Sequence, residues 1–256
     1  MKDFKYTVVL DPGHGGRDPG AVANGLREKD LNLRLAHKIA PALSGVKVLL
    51  TRESDIFVSL KDRVALAARA DADIFVSLHV NAGGGHGFES FVYQGLGRKD
   101  PARIMRRIIH KRAMNTLSRW EIRDRGKKDA AFYVLRYNKV PAMLIESLFI
   151  DNEREAGLWR DPLFPELLAT GIAAGIMEAV APEKQEIIQE GTEKEMPRQE
   201  ESRPEPDAGE KTALPAEYLY AVQVGAFAVE ENARRCLKKA RKAGFDDAFI
   251  YKKNVS

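Results

Sequence analysis

The fold of this chain is constrained most by the alternation of short apolar runs with helical patterns over residues 1–182. Mostly apolar runs predict buried strands, whereas apolar residues at helical spacing, such as Leu31, Leu35 and Ile39, predict amphipathic helices. We predict strands over residues 6–10, 46–50, 73–78 and 142–146, and helices over 30–43, 59–70, 99–117 and 162–180. Strands that alternate with helices predict an α/β fold with a mostly parallel sheet.

A change of composition divides the chain into three parts. Residues 183–216 are rich in Glu, Lys, Gln and Pro and contain no aromatic residue. This segment has little apolar surface to bury, so we expect a disordered, flexible linker. Residues 217–256 show a strand, helix and strand pattern, which predicts a small β-α-β unit after the linker. Residues 1–182 form the predicted first domain.

The charge follows the same division. The whole chain has a net charge of +4, yet residues 183–211 contain ten acidic and five basic residues, so the parts on either side are basic. A mildly basic surface suits an anionic polymer, such as nucleic acid or bacterial cell wall, and is also compatible with an ordinary solvated surface. The single cysteine, Cys236, excludes an intrachain disulfide and a metal site built from cysteines.

The sequence also bears on membranes and export. No stretch approaches roughly 18 uninterrupted apolar residues, so we expect no membrane-spanning helix. The apolar run at residues 6–10 is too short for a secretory signal, and no small-residue cleavage site follows it. We therefore expect a chain that is made in the cytoplasm and reaches its target after release or by non-classical export.

Histidine and glutamate side chains stand where the predicted strands end. His14 lies in the Gly-rich loop after the first strand, His79 follows the third strand, and Glu146 ends the fourth. Sites in open parallel sheets form beyond the carboxyl ends of strands. Glu28, just before the first predicted helix, is a fourth candidate residue. Two imidazoles and a carboxylate are a known zinc ligand set with one open position. His14, Glu28 and His79 fit that set, which leaves Glu146 as a general base.

Ordinary structural roles explain the same residues. A single histidine at a strand end is more often structural than a ligand, and a lone glutamate there more often pairs with an arginine. A Gly-rich loop is also typical of phosphate binding, although this one lacks the Lys and Ser/Thr of a P-loop. Spacing alone therefore leaves a metal site and structural roles both open.

Longer blocks define the first domain more closely. They are, in order, LDPGHGGRDPGA (10–21), NGLREKDLNL (24–33), TRESD (51–55), LKDR (60–63), ADIFVSLHVNA (72–82), VLR (134–136) and the stretch 144–152. With these blocks, residues 1–182 resemble the zinc-dependent N-acetylmuramoyl-L-alanine amidases of bacterial cell-wall turnover. One departure is Leu148, where the family usually has glycine, and we expect it to alter packing under the site.

The resemblance implies a twisted, mostly parallel sheet flanked by helices. It implies that His14, Glu28 and His79 bind one Zn²⁺ ion and that Glu146 is the catalytic residue. The implied reaction is hydrolysis of the amide bond between N-acetylmuramoyl residues and L-alanine of the stem peptide in peptidoglycan. Two alternatives stay open, namely another zinc amidohydrolase such as a peptidase, and a catalytically inactive wall-binding protein.

The C-terminal block YLYAVQVGAF (218–227) resembles the start of a sporulation-related (SPOR) repeat, which is a peptidoglycan-binding module. Only one of the module's two β-α-β halves is recognisable, so residues 217–256 are expected either to be disordered alone or to self-associate with a second copy. The combination resembles spore-former amidases that lyse the mother cell. The expected partner is peptidoglycan rather than nucleic acid.

The remaining polar candidates are weaker. Asn81 and Arg136 are predicted substrate contacts, since an arginine beside the site suits a peptide carboxylate. His86 lies in the Gly-rich run 83–87 and is a lesser candidate, whereas His37 and His110 are expected to face solvent. The apolar residues of the basic helix are expected in the core; they are Ile104, Met105 and Ile108.

Overall fold

The computed structural model describes residues 4–181. Their elements are β1 (Thr7–Pro12), β2 (Val22–Ala23), β3 (Leu26–Arg27), α1 (Glu28–Ile39), β4 (Lys47–Leu50), α2 (Leu60–Arg69), β5 (Ile74–Asn81), β6 (Phe88–Tyr93), α3 (Pro101–Leu117), β7 (Asp124–Ala130), α4 (Tyr133–Arg136), β8 (Ala142–Phe149), α5 (Glu153–Arg160) and α6 (Leu163–Val180). The predicted linker over 183–216 and the predicted β-α-β unit over 217–256 lie outside the described residues, so the domain limits stay predictions.

The main sheet has six strands in the order β4-β1-β5-β8-β6-β7. Strands β4, β1, β5 and β8 are parallel neighbours, β6 runs antiparallel to β8, and β7 runs parallel to β6. The prediction of an α/β fold with a mostly parallel sheet is confirmed. Because β1, β5 and β8 lie side by side and point the same way, their carboxyl ends meet at one edge of the sheet.

Each face of the sheet has its own apolar core. Helices α1, α3 and α6 cover one face with residues such as Leu35, Ile109 and Ile172. Helices α2 and α4 contribute to the core on the other face. Side chains alternate along a strand, and Leu78 and Val80 of β5 belong to the first core. His79 between them therefore points to the face that carries α2 and α4.

Two central strands are longer than the sequence predicts. Strands β5 and β8 continue to Asn81 and Phe149, three residues beyond their predicted ends. His79 and Glu146 therefore lie inside paired strands, where they are register partners. Helix α1 begins at Glu28 rather than at residue 30 and ends at Ile39, before a 3₁₀ turn that contains Pro41.

The exposure predicted for α3 is partly wrong. His110 is almost fully buried, with its ring nitrogens at hydrogen-bond distance from Ser90 Oγ and Asp124 Oδ1. Ile104 is 45% exposed, although Met105 is buried as predicted. The buried stripe of α3 passes through residues 102, 105, 106, 109, 110 and 113, so His110 lies on it and Ile104 does not.

Helix α6 packs unusually closely against α3. By length and composition alone it is apolar enough to cross a membrane, with a mean hydropathy of 1.5 over 18 residues, and it is the one such helix within residues 4–181. Its apolar residues instead form part of the core, including Leu168, Ile172 and Ile176. A Cβ atom on Gly175 would lie 2.6 Å from Ile109 Cα, so glycine permits the close approach of the two helices.

We predict that Gly175→Ala lowers the free energy of unfolding by about 1–3 kcal/mol, because the added methyl group forces the helices apart. Gly157→Ala in α5 is the matched control, since its Cβ would meet nothing within 4 Å. That change should leave stability equal or raise it by up to about 1 kcal/mol through helix propensity. Urea unfolding followed by the fluorescence of Trp120 and Trp159 measures both. Equal stabilities would contradict the proposed close contact.

Candidate metal centre

Four elements bring the predicted site residues together at the carboxyl edge of the sheet. His14 lies in the loop after β1, Glu28 is the first residue of α1, and His79 lies near the end of β5. Glu146 lies on β8 as the register partner of His79. Residues far apart in sequence thus meet because β1, β5 and β8 are adjacent.

The carboxylate of Glu28 lies between the two imidazole rings. Its Oε2 is 3.2 Å from His14 Nε2, and its Oε1 is 2.9 Å from His79 Nδ1. The backbone N–H groups of Ala21 and Val80 donate to the same two oxygens, at 2.9 and 3.2 Å. One ligand atom from each of His14, Glu28 and His79 lies within 4.8 Å of the others. This group can hold a metal ion.

The charges at the centre favour a cation. Burial alone would raise the pKa of Glu28, but the hydrogen bonds from His14 and His79 hold it well below its usual range. Burial alone would lower the pKa of His14, yet contacts with Glu28 and Asp18 raise it to about 9. The Glu28 carboxylate therefore stays ionised and attracts positive charge. A proton on one of the imidazoles supplies that charge, or a metal ion takes the place of the proton.

A second carboxylate orients the first imidazole. Asp18 Oδ2 lies 2.8 Å from His14 Nδ1, the ring nitrogen that does not face Glu28. Metal-binding histidines commonly use their other nitrogen in this way, because the contact fixes the ring and its tautomer.

Two glycines allow the backbone to pack closely against the site residues. A Cβ on Gly13 would lie 2.2 Å from the His79 ring, and one on Gly20 would lie 2.6 Å from Glu28 Oε2.

Two buried arginines hold the loop that carries His14. Arg63 donates to the carbonyl oxygens of Pro12 and His14 at 2.8 and 2.7 Å, and Arg52 donates to those of Pro12 and Gly13, both at 2.9 Å. The carboxylate of Asp11 accepts a further bond from Arg63 at 2.7 Å. His14 itself has a φ of 61°, in the left-handed region that non-glycine residues seldom adopt. The arginines thus fix a strained backbone.

Glu146 differs from the other site residues. Its Oε2 is buried and has no hydrogen-bond partner among the described residues. Burial, aided by the negative charges of Glu28 and Glu89, raises its pKa to about 7, although the nearby His79 opposes the rise. A carboxyl group with this pKa exchanges protons readily near neutral pH.

The two predicted substrate contacts lie in different surroundings. Asn81 ends β5, and its Nδ2 donates to Glu89 Oε1 at 2.7 Å, close to Glu146. Arg136 ends α4, before the amino end of β8, where its guanidinium lies 5.3 Å from the centre of the Tyr137 ring. The structure thus brings Asn81 beside the cluster, and it does not place Arg136 with it. Their roles in substrate binding stay predictions.

Three charged residues beside the site escape the sequence analysis. Glu89, Arg125 and Lys128 form ion pairs next to Glu146, and all three belong to β6 and β7. Strand β7, DRGKKDA, is polar, and the short apolar run FVY at the end of β6 (FESFVY) predicts a strand only weakly. Leu148 in β8 has a φ of 69°, in the left-handed region that favours glycine, and a fully buried side chain, and its expected effect on the packing under the site stays a prediction.

Comparison with known proteins decides the family. A family model described as N-acetylmuramoyl-L-alanine amidase matches residues 8–178. The chain belongs to this family. A SPOR domain model matches residues 216–256 of the amidase. The predicted family, the predicted SPOR resemblance and the predicted enzyme class, a hydrolase, are thereby confirmed.

Named relatives agree with the family. The amidase is 39% identical over 249 residues to the sporulation-specific N-acetylmuramoyl-L-alanine amidase of Bacillus subtilis, a match that covers 96% of this chain and 84% of the relative. It is 38% identical to the amidase CwlM of Bacillus licheniformis, with 96% and 85% covered. The solved catalytic domain of CwlV from Bacillus (Paenibacillus) polymyxa matches with a TM-score of 0.63 at 33% identity, over 68% of this chain and 98% of that one.

We predict that Arg63→Lys weakens metal binding by the amidase, with a rise in the dissociation constant on the order of 10- to 100-fold. Lysine keeps the charge that faces Asp11, but one ammonium group cannot replace the planar fork that reaches two carbonyl oxygens. Competition with a coloured chelator measures the affinity, and thermal unfolding checks the fold. Arg69→Lys, at an exposed position of α2, is the control. Unchanged affinity in a folded Arg63→Lys protein would contradict the positioning role.

Proposed function

We propose that the amidase hydrolyses the amide bond between N-acetylmuramoyl residues and L-alanine of the stem peptide in peptidoglycan, with one zinc ion held by His14, Glu28 and His79. Two imidazoles and one carboxylate are a ligand set of catalytic zinc, which leaves a fourth position open. When bound, zinc polarises the scissile carbonyl and lowers the pKa of water. The family match supports the reaction, and the geometry of the cluster supports the ligands.

The observation that carries the mechanism is the buried Oε2 of Glu146, which has no hydrogen-bond partner within residues 4–181. An ionised carboxylate there accepts a proton from the attacking water as its oxygen bonds to the carbonyl carbon. The same group, now protonated, donates that proton to the alanine nitrogen as the carbon–nitrogen bond breaks. A pKa raised to about 7 suits both steps, because proton gain and loss then have similar cost near neutral pH.

We further propose that the amidase acts in mother-cell lysis during sporulation, and that it meets the wall after release from the cell that makes it. Two findings support this role, namely the sporulation-specific relative, matched over 96% of this chain, and the SPOR match at residues 216–256. The SPOR segment would bind peptidoglycan and raise the local concentration of the catalytic domain on it. Self-association of residues 217–256 stays a prediction, since they lie outside the described part of the chain.

The proposed roles of Glu146, His14 and His79 predict different losses. Glu146→Gln should keep the metal and lose activity by roughly 10²–10⁴-fold, because glutamine has nearly the same shape but cannot transfer the proton. His14→Ala and His79→Ala should lose the metal itself. Metal analysis and turnover, measured on the same samples, decide between the roles. A metal-free Glu146→Gln protein would mean that Glu146 is a ligand.

The products identify the reaction. Digestion of purified peptidoglycan should release peptides with a new L-alanine amino terminus and leave the glycan strands intact, as read by mass spectrometry. A chelator should abolish the release, and added Zn²⁺ should restore it. Cleavage of a free peptide that lacks the muramoyl group would instead favour a peptidase. Absence of cleavage with zinc bound would favour a wall-binding protein with an inactive site.

A further inference from the structure

An ion-pair group of Glu89, Arg125 and Lys128 lies beside Glu146. The proton transfer proposed above does not use it. Glu89 is buried and is the register partner of Glu146 across strands β6 and β8. Its Oε1 accepts from Asn81, and its Oε2 accepts from Arg125 Nε at 2.8 Å and from Lys128 Nζ. Glu89, Arg125 and Lys128 together carry a net charge of +1, and Glu89 is the member that faces Glu146 across the two strands.

Arg125 uses one edge of its guanidinium for this contact and leaves the other edge available. Its Nη1 makes only a long contact, 3.4 Å, with the carbonyl oxygen of His86, and its Nη2 has no hydrogen-bond partner within residues 4–181. The guanidinium lies 4.8 Å from the centre of the Phe149 ring, and the side chain is 25% exposed. Since the group is planar, the bond to Glu89 also fixes the direction of the free edge.

The backbone directs this side chain. Phe88 pairs with Asp124 and Glu89 pairs with Gly126, so Arg125 is the extra residue of a bulge between β6 and β7. Gly126 has a φ of 89°, and its N–H donates to Asp124, which also contacts the buried His110. A β-bulge re-aims a side chain, and bulges are common next to active sites.

We propose that Arg125 binds a carboxylate of the stem peptide and thereby makes the amidase prefer peptides with a free carboxyl group near the scissile bond. The inference rests on the proposed function and extends it to the peptide side of the substrate. A carboxylate suits the free Nη1–Nη2 edge, because such pairs form two parallel charge-assisted hydrogen bonds. Glu89 is the positioning residue that orients Arg125, and Asn81 acts by holding Glu89.

The test compares two muropeptides with the same glycan and peptide, in which the second peptide residue carries a free or an amidated α-carboxyl group. The unchanged enzyme should have a higher kcat/KM for the free acid, on the order of 10-fold or more. Arg125→Gln should lose that preference, mainly through a higher KM for the acid, while metal content stays normal. Arg125→Lys should recover part of it, because the charge returns without the fork.

Arg103→Gln is the matched control. The Arg103 side chain is 21% exposed, close to the 25% of Arg125, and it forms an ion pair at 2.8 Å with Asp129 of β7. That variant should keep the full preference for the free acid. An unchanged preference in Arg125→Gln, or equal cleavage of both substrates by the unchanged enzyme, would mean that Arg125 only stabilises the fold. Failure of the unchanged enzyme to cleave either muropeptide would instead refute the proposed function, and the carboxylate site with it.

Discussion

The carboxylate of Glu28, shared between two imidazoles and two backbone N–H groups, is the contact around which the centre is built. A buried carboxylate is costly unless it is paired and hydrogen-bonded, and all of these partners come from different parts of the sheet edge. The position of Glu28 at the start of α1 adds the favourable field of the helix amino end. The centre therefore forms only when β1 and β5 are paired and the start of α1 is packed against their carboxyl ends.

The loop after β1 depends in turn on Arg52 and Arg63. Both side chains are buried, and both guanidinium groups donate to the carbonyl oxygen of Pro12 at the end of β1. Burial, together with the charge of Arg63, lowers the pKa of Arg52, so the two cations repel each other. Asp11 offsets this repulsion through its bond to Arg63. Removal of either Asp11 or Arg63 would leave the other as an uncompensated buried charge, which is strongly destabilising.

The sequence predicts the parts of this structure that follow from apolar pattern and strand order. His14, His79 and Glu146 can be predicted as site residues from the sequence, because each lies near the carboxyl end of an apolar strand, where parallel sheets form sites. Glu89 and Arg125 could not be predicted as site residues, because β7 is polar enough to resemble a loop and β6 shows only a weak strand pattern. The burial of His110 was also missed, because a polar side chain on a basic helix gives no sign of its partners Ser90 and Asp124.

In the proposed centre, Glu28, His14 and His79 bind one zinc ion while Glu146 stays free for proton transfer. Anomalous diffraction at the zinc absorption edge, from crystals grown with Zn²⁺, tests this ligand set most directly. We expect one peak about 2.0–2.2 Å from a nitrogen of each histidine and an oxygen of Glu28. A peak bound by Glu146 in place of any of these three residues, or no peak at the cluster, would mean that the proposed ligand set is wrong.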